Sequence, residues 1–236
     1  MNNLLRPLVI IATTIICNLS MADNLPKKIP SQFNKIYAPG GFDSNDHVQI
    51  VGEGVFHNSC FRQAETIIQI DNVKKQVSVF PVAYEYPGIC LQFMVPFQHV
   101  VDIGILEAGN WEILQGTLHT KIGSVQIRKS VSDAADDFLY APVSQAFFYK
   151  NNSTGQVNVT GEFTNDCLSI DEIKVTIEAN VIAIQPIAKM STDKICTEGL
   201  FPFSKTVSLG PVPAGKYLLH VRTLNGNAIN SIVTAE

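Results

Sequence analysis

The sequence predicts an all-β protein built from two tandem antiparallel β-sandwich domains, each closed by one disulfide bond. Short apolar alternations are broken by Gly, Asn, Asp or Pro about every 8–12 residues, which is typical of β-sandwiches. Residues 37–129 and 140–234 repeat a series of landmarks in the same order, and such self-similarity indicates a tandem duplication. Each of these two segments also contains one pair of cysteines.

The repeated landmarks are short and nearly constant in spacing. From Cys90 and Cys196 onward the offset between the two copies is 106 residues (196 minus 90). The other matches are Tyr37-Ala38-Pro39 with Tyr140-Ala141-Pro142, Gly52-Glu53 with Gly161-Glu162, Pro96-Phe97 with Pro202-Phe203, and Ala108-Gly109 with Ala214-Gly215. We therefore expect both copies to share one fold.

The N-terminal residues predict a secretory signal peptide over 1–22. Arg6 precedes an apolar run from Pro7 to Cys17, and small residues lie at the −3 and −1 positions of a cut after Ala22. The apolar run is shorter than the ~20 residues of a membrane span, so a permanent anchor is the less favoured reading. Cys17 follows the bulky Ile16, where lipid attachment requires a small residue, so we assign Cys17 to the signal peptide. The mature chain is predicted to have no stable membrane span.

The rest of the chain divides into four parts. Removing 22 residues leaves 214 (236 minus 22), or about 107 for each copy, a usual size for a small sandwich. The second copy has its own cysteines and apolar pattern, so we expect it to fold alone, joined to the first by a short charged linker. The predicted parts are a polar leader over 23–34, the first sandwich over 35–130, a linker over 131–137 and the second sandwich over 138–236.

The cysteines predict two disulfides, Cys60–Cys90 and Cys167–Cys196. Their loops span 30 and 29 residues (90 minus 60 and 196 minus 167), and a pairing that suits one copy should suit the other. Such bridges belong to an oxidising compartment. A zinc site held by all four cysteines would need closely spaced pairs such as C-x2-C, and the sequence has none.

Each copy is predicted to contain seven strands, the number found in immunoglobulin-like sandwiches. Pro96-Phe97 and Pro202-Phe203 indicate edge positions, bulges or corners, because proline cannot donate to a ladder. We expect Phe97 and Phe203 to turn into the core. The predicted strands lie near 47–56, 66–71, 76–83, 89–95, 99–104, 110–116 and 122–129 in the first copy, and near 156–163, 172–179, 181–188, 195–201, 205–209, 216–223 and 228–234 in the second.

The sequence offers no recognisable catalytic or cofactor motif. Loss of Arg6 with the signal leaves a mature charge of 16 minus 21, or −5, and no basic cluster, so we exclude nucleic acid as a partner. No G-x-S-x-G turn is present. The histidines lack metal-ligand spacing, although His57 and His99 could converge. We predict no cofactor, no metal site and no enzymatic activity.

The segment Asp43-Ser44-Asn45-Asp46 allows two readings. Its oxygens could bind calcium, as acidic loops in extracellular sandwiches sometimes do. It lacks the distal carboxylate of a defined calcium loop, and the alternative is an Asx-rich turn.

The second copy contains an aromatic run that the first copy lacks. Phe147, Phe148 and Tyr149 lie in a segment, 146–155, that is about six residues longer than its counterpart. In a strand Phe147 and Tyr149 share one face while Phe148 points to the other. The segment is predicted to be either an additional edge strand with a hairpin tip or a recognition loop, and these three aromatics are our candidate partner contacts.

The second copy also resembles exported bacterial immunoglobulin-like domains of uncharacterised function. The resemblance lies in a Cys196, Pro202-Phe203, Val207-Ser208-Leu209-Gly210, Ala214-Gly215-Lys216-Tyr217 series, which the first copy repeats in looser form from Cys90 to Trp111. It covers roughly a fifth to a quarter of each copy. It implies an exported bacterial protein and no catalytic or binding residues.

Together these observations predict a secreted or periplasmic, non-enzymatic protein that binds another protein or an envelope component, or supports an envelope or extracellular assembly. An inhibitor of secreted enzymes, acting through an exposed loop such as 145–155, is the alternative. A hydrolase with a site between the two domains is a third hypothesis, which no motif supports.

Overall fold

The chain folds into two β-sandwiches in tandem. The computed structural model describes residues 25–134, 136–151 and 153–236, so the predicted signal peptide lies outside the described residues. The first domain comprises β1 Lys27–Pro30, β2 Lys35–Tyr37, β3 Phe42–Asp43, β4 His47–Phe56, β5 Phe61–Asp71, β6 Gln76–Glu85, β7 Val95–Ile105, β8 Gly109–Gln115 and β9 Thr120–Arg128. The second comprises β10 Val143–Asn151, β11 Thr154–Asn165, β12 Leu168–Glu178, β13 Val181–Met190, β14 Glu198–Pro211, β15 Gly215–Arg222 and β16 Ala228–Ala235.

Each domain pairs a three-stranded sheet with a larger one. In the first domain β2-β4-β7 faces a six-stranded sheet ordered β1-β6-β8-β9-β3, with β5 also paired to β6. In the second domain β10-β11-β14 faces β12-β13-β15-β16. Neighbouring strands are antiparallel except β6-β8, β3-β9 and β13-β15, which are parallel. A 3-10 turn at Leu224–Gly226 is the one helical element that the described residues contain, and none of them forms a helix able to cross a membrane.

Each domain has its own core between its two sheets. Trp111 is fully buried in the first core, and its indole Nε1 donates to Glu107 O at 2.8 Å. Tyr217 occupies the matching place in the second core, with its hydroxyl donating to Pro213 O at 3.1 Å. Each aromatic side chain therefore donates a hydrogen bond to the backbone carbonyl four residues upstream, and this contact is the same in both domains.

Both predicted disulfides are present, Cys60–Cys90 and Cys167–Cys196, with Cα–Cα distances of 5.3 and 5.4 Å. Asn58 Oδ1 accepts the backbone N–H of Cys60 at 2.9 Å, and Asn165 Oδ1 accepts that of Cys167 at 3.0 Å. Because disulfides persist in oxidising compartments, the two bridges indicate a non-reducing environment.

The strand pattern differs from the prediction around both Pro-Phe pairs. Residues 86–94 form a loop where a strand was expected near 89–95, and β7 and β14 run straight through Pro96 and Pro202. Each strand pairs on one side only, so its prolines lie on a sheet edge where a missing N–H costs little. Phe97 and Phe203 pack against the first and second core, as predicted.

The structure also corrects the alignment of the two domains. Gly54 lies opposite Phe97, and Gly161 lies opposite Phe203, so Gly54 rather than Gly52 is the counterpart of Gly161. Both glycines begin the same pattern, G-x-F-x-N-x-C, which runs over 54–60 and 161–167. Tyr37 and Tyr140 are not equivalent either. Tyr37 pairs with Val51 on β4 of the three-stranded sheet. Tyr140 instead forms a bridge to Ile187 on β13, in the four-stranded sheet.

The predicted polar leader contributes to the first sandwich. Lys27–Pro30 pairs with β6, and Phe33 is buried in the first core. Gln115 holds Phe33 by accepting its N–H at 2.8 Å and donating to its carbonyl at 3.1 Å. The sandwich therefore begins at or before residue 27, upstream of the predicted boundary at 35. The sequence missed this strand because it is short, contains two lysines and ends in proline.

Candidate functional site

The two domains meet through a buried junction. The outer face of β2-β4-β7 contributes Tyr37 and Val51, which pack against Val181, Ala183 and Leu218 on the outer face of the four-stranded sheet. Polar contacts surround this cluster. Lys216 pairs with Glu53, and Asn230 Nδ2 lies 3.5 Å from Gln49 Oε1. The junction therefore resembles a small core with a polar rim.

A buried ion pair closes one end of the junction. Arg222 binds Asp46 through two hydrogen bonds of 2.7 and 2.8 Å, and only 2 % and 1 % of these two side chains are exposed. The Arg222 guanidinium also lies 4.5 Å from the ring centroid of Tyr140 and 3.4 Å from Asp136 Oδ2. Burial raises the pKa of Tyr140 to about 12 and raises the pKa of Asp136 above its ordinary value.

His220 is a second buried ionisable group at the junction. Its Nδ1 lies 2.7 Å from Asn230 Oδ1, and its ring packs edge-on against Phe42. Burial lowers the pKa of His220 to about 4, and the nearby Arg222 charge acts in the same direction. His220 is therefore a neutral packing residue at neutral pH.

The calcium reading of residues 43–46 does not fit the contacts of its carboxylates. Asp46 is occupied by Arg222, and Asp43 Oδ1 accepts from Arg128 Nε at 3.0 Å. Asp46 Oδ2 also accepts the N–H of Asp43 at 2.7 Å, and Asp46 N donates to Asp43 O at 3.0 Å, so the segment forms a hydrogen-bonded turn of the β-turn type. No group of three His, Cys, Asp or Glu side chains placed to hold a metal occurs in the part of the chain that the structure describes.

The outer face of β10-β11-β14 is open to solvent and has no charged residue in its central rows. Asn158 Nδ2 donates to Ser204 Oγ at 3.1 Å and to Thr206 Oγ1 at 3.2 Å, which orders the centre of the face. We call this surface the polar face. Its three rows across the strands are Tyr149-Gln156-Ser208, Phe147-Asn158-Thr206 and Gln145-Thr160-Ser204.

The polar face contains two of the three predicted aromatic contacts. Phe147 and Tyr149 are 56 % and 42 % exposed, whereas Phe148 points inward and packs on the second core. The alternation expected for a strand is thus present. The segment forms the edge strand β10, which pairs with β11, and not a free recognition loop. The sequence could not place these rings on a shared sheet with Asn158 and Thr206, since those residues come from distant strands.

The polar face occupies the same place in its domain as the outer face of β2-β4-β7 does in the first domain. We call that outer face, which packs against the second domain, the docking face. In the first domain, one row across the three strands is Tyr37-Val51-Val100. The corresponding row of the polar face is Phe147-Asn158-Thr206. The aromatic position is therefore kept in both domains. The valines beside it in the first domain are replaced by an amide and a hydroxyl in the second.

The comparisons with known proteins bear on the second domain. Residues 157–234 match the family model of the ORF11 beta-sandwich domain. The match covers 78 of 236 residues, from β11 to β16, and agrees with the sandwich seen there. Searches among curated proteins and among solved structures returned no match. Five of the nine residues of the polar face lie within this ORF11-like segment, and the β10 residues and Gln156 lie outside it.

A second exposed surface lies in the first domain, outside the ORF11-like segment. The loop 86–94 exposes five large apolar residues. Besides the disulfide at Cys90, Leu91 anchors the loop, because its N–H donates to Ser59 Oγ at 2.9 Å and its carbonyl accepts from Ser59 N at 3.1 Å. We call this segment the apolar loop. Its exposed residues are Tyr86, Ile89, Leu91, Phe93 and Met94.

Among the described residues, one serine and one histidine side chain lie within hydrogen-bonding distance of each other, also outside the ORF11-like segment. Ser78 Oγ lies 3.2 Å from His119 Nδ1 beside an open cavity of about 750 Å³. Ser78 is buried near the start of β6, and no acid partner of His119 appears among the hydrogen bonds of the described residues. His57 packs on Phe61 and His99 stacks on Phe33, so the structure does not combine them into a site. None of these arrangements resembles an assembled hydrolase site.

Proposed function

We propose that this chain is a non-enzymatic binding protein of the cell envelope or extracellular space, and that it binds its partner through the polar face. The proposal depends on one observation. The equivalent face of the first domain is a docking face, buried against another sandwich, whereas in the second domain the same face is exposed and has two solvent-facing aromatic rings. Exposed aromatics on a rigid sheet are favoured anchors for a partner.

The rest of the molecule supports a role as a scaffold. The buried junction and the Arg222–Asp46 pair hold the two sandwiches together, so the polar face is presented on a preorganised body. We also propose that the chain is an exported bacterial protein and that its two immunoglobulin-like domains arose by tandem duplication. The shared G-x-F-x-N-x-C pattern, the matching disulfides and the paired Trp111 and Tyr217 hydrogen bonds support the duplication.

The test is capture of a partner from an extracellular or envelope extract by the mature chain and three variants. F147S/Y149S should lose capture, because both rings lie on the polar face, and should unfold within a few degrees of the wild type because both are exposed. F148S should lower the melting temperature by more than that, since Phe148 belongs to the core. V73S/L118S is the matched control, because these residues are 95 % and 89 % exposed in the first domain. Capture that survives F147S/Y149S would contradict the proposal.

Inhibition of a secreted enzyme is a second candidate, and it is favoured by the apolar loop rather than by residues 145–155. A disulfide and two backbone contacts hold the apolar loop in one conformation, with Ile89 99 % exposed at its tip. Restrained exposed loops bind enzyme clefts at a low ordering cost. A panel of secreted hydrolases assayed with wild-type protein and with I89D/L91D tests this. Inhibition that I89D/L91D does not weaken would exclude the apolar loop as the inhibitory element.

A further inference from the structure

We infer that the ligand of the polar face is an uncharged polysaccharide. This inference rests on the proposed function of the polar face and adds the chemical class of the ligand. It is argued from three properties of the face: its charge, its hydrogen-bonding groups and its aromatic rings.

The charge of the polar face excludes several ligand classes. All nine residues in its three rows are uncharged. Nucleic acids and anionic lipids require lysine or arginine at the contact surface. A face without formal charge complements a ligand without formal charge.

Apolar protein partners are also disfavoured, as a comparison with the junction shows. Where the first domain docks on the second, the buried Val51 occupies the centre strand, and Val100, which is 40 % exposed, lies beside it on the edge strand. The polar face has Asn158 and Thr206 at those positions, so it lacks the apolar surface that a second sheet would cover. Burying these groups against an apolar sheet would cost free energy, because they would lose their hydrogen bonds to water.

The hydrogen-bonding groups match a ligand rich in hydroxyls. Asn158 donates to Ser204 and Thr206, so each of these hydroxyls accepts one bond and keeps its own proton to donate outward. Amide and hydroxyl side chains both donate and accept, as sugar hydroxyls do. The three strands present these groups over about 10 Å at the ~4.8 Å strand spacing, which suits an extended chain rather than a small molecule in a pocket.

The aromatic rings supply the apolar part of the contact. Phe147 and Tyr149 lie two residues apart on the edge strand, about 7 Å along it. The C–H face of a sugar ring is apolar and packs on an aromatic ring, while its hydroxyls reach outward to polar neighbours. Rings along one edge with an amide and hydroxyl ladder beside them therefore form an amphipathic platform for a polysaccharide chain.

The test measures retention of the mature, disulfide-bonded chain on insoluble cellulose, on chitin and on crosslinked dextran. We expect retention on at least one matrix. It should be equal in about 0.1 M and about 1 M NaCl, because the three rows of the polar face contain no charge that salt could screen. F147S/Y149S should weaken binding at least about tenfold, and T206V, which keeps the shape and removes the hydroxyl, several-fold. V73S/L118S should bind like the wild type.

The outcomes separate this inference from the proposed function. No retention on any of the three matrices overturns the inference, as does retention that F147S/Y149S leaves unchanged or that about 1 M NaCl abolishes. If F147S/Y149S still removes capture of a protein partner in that case, the polar face is a protein-binding site and the proposed function stands. If neither binding mode depends on these two residues, both proposals fail.

Discussion

Arg222 places a guanidinium group between the two domains, beside the carboxylates of Asp46 and Asp136 and the rings of Phe42 and Tyr140. Two short hydrogen bonds to Asp46 and the ring of Tyr140 compensate for its lost hydration. A buried ion pair of this kind adds little net stability compared with apolar residues, but removing one partner is costly. We expect its main contribution to be the docking geometry, since the two hydrogen bonds form only when Asp46 of the first domain faces Arg222 of the second.

Substituting Arg222 alone should therefore be severe. We expect R222M to lower the free energy of unfolding by about 3–5 kcal/mol, because Asp46 is left buried and unpaired. The double variant R222M/D46N should recover part of this loss by removing that charge. K189A is the control, since the Lys189–Asp171 pair is exposed and should contribute less than about 1 kcal/mol. Denaturant titration measures all three, and a loss in R222M no larger than in K189A would contradict the role assigned to the pair.

His220 makes stability depend on pH with a definite sign. Its pKa is about 4 in the folded chain and near 6.5 when unfolded. Between these values the unfolded chain binds a proton that the folded chain does not. Stability is therefore lost as pH falls from about 6.5 towards 4, by roughly 3 kcal/mol once both states are protonated.

Comparing the wild type with H220Q isolates this effect. Arg222, Asn230 and Phe42 surround the ring and are present in both proteins. The raised pKa values of Asp43 and Asp136 act with the opposite sign and cancel in the difference. Between pH 7 and pH 4, the free energy of unfolding of the wild type should fall by about 3 kcal/mol more than that of H220Q. Denaturant unfolding across this pH range measures the difference. A gap that is constant with pH would contradict the assignment.

At the scale of elements, the G-x-F-x-N-x-C segment organises each domain in the same way. Its glycine lets a core phenylalanine of the neighbouring edge strand lie across β4 or β11. A Cβ added to Gly161 would collide with the Pro142 carbonyl oxygen and would lie 2.7 Å from the Phe203 ring. Its asparagine turns the chain into the disulfide. Strand, turn and bridge are thus set by seven consecutive residues.

The glycine requirement is testable on β11. G161A should destabilise the protein by about 2–3 kcal/mol, because the backbone oxygen of Pro142 cannot move aside as a flexible side chain could. T160A, one residue away and facing the solvent, should change stability by less than about 0.5 kcal/mol. Thermal unfolding of the two variants provides the comparison. Equal melting temperatures would show that the backbone at Pro142 moves aside to accommodate a side chain at position 161.

At the scale of the molecule, the four-stranded sheet of the second domain is apolar where the first domain covers it. Val181, Leu218 and Ile232 lie in register across β13, β15 and β16. At the matching positions of β6, β8 and β9 the first domain has Gln76, Glu112 and Ser124, all on a face that the second domain does not cover. The larger sheets of the two domains therefore differ on their outer faces, and at these positions only that of the second domain presents apolar side chains to its neighbour.

The sequence predicts that residues 138–236 fold independently. In the structure, however, the first domain covers part of the surface of this fragment. Without the first domain, Val181, Leu218 and Ile232 would be exposed as a patch and Arg222 would lose Asp46. We expect this fragment to self-associate under oxidising conditions. V181Q/L218E/I232S, which introduces the residues of the first domain, should restore a monomer by light scattering. A monomeric and stable unmodified fragment would show that the junction adds little to the stability of the second domain.

Local patterns in the sequence were sufficient to predict the all-β class, the two domains and both disulfides. The prediction succeeded there because turn residues, period-2 alternation and cysteine spacing act over short distances along the chain. The same logic correctly placed Phe148 opposite Phe147 and Tyr149. It was less successful for strand ends and for the leader, where Lys27–Pro30 and Phe33 join the sandwich through contacts with distant residues.

Only the tertiary structure decided which faces are covered. The apolar run of β13 is buried on both faces, a signal that was present in the sequence and could have indicated the junction. The pairing of Arg222 with Asp46 joins residues 176 positions apart, and the polar face combines three strands. Sequence alone determined what each strand offers to a neighbour. Which neighbour it meets depends on the packing of whole sheets, and that packing buries Tyr37 and exposes Phe147 at equivalent positions of the two domains.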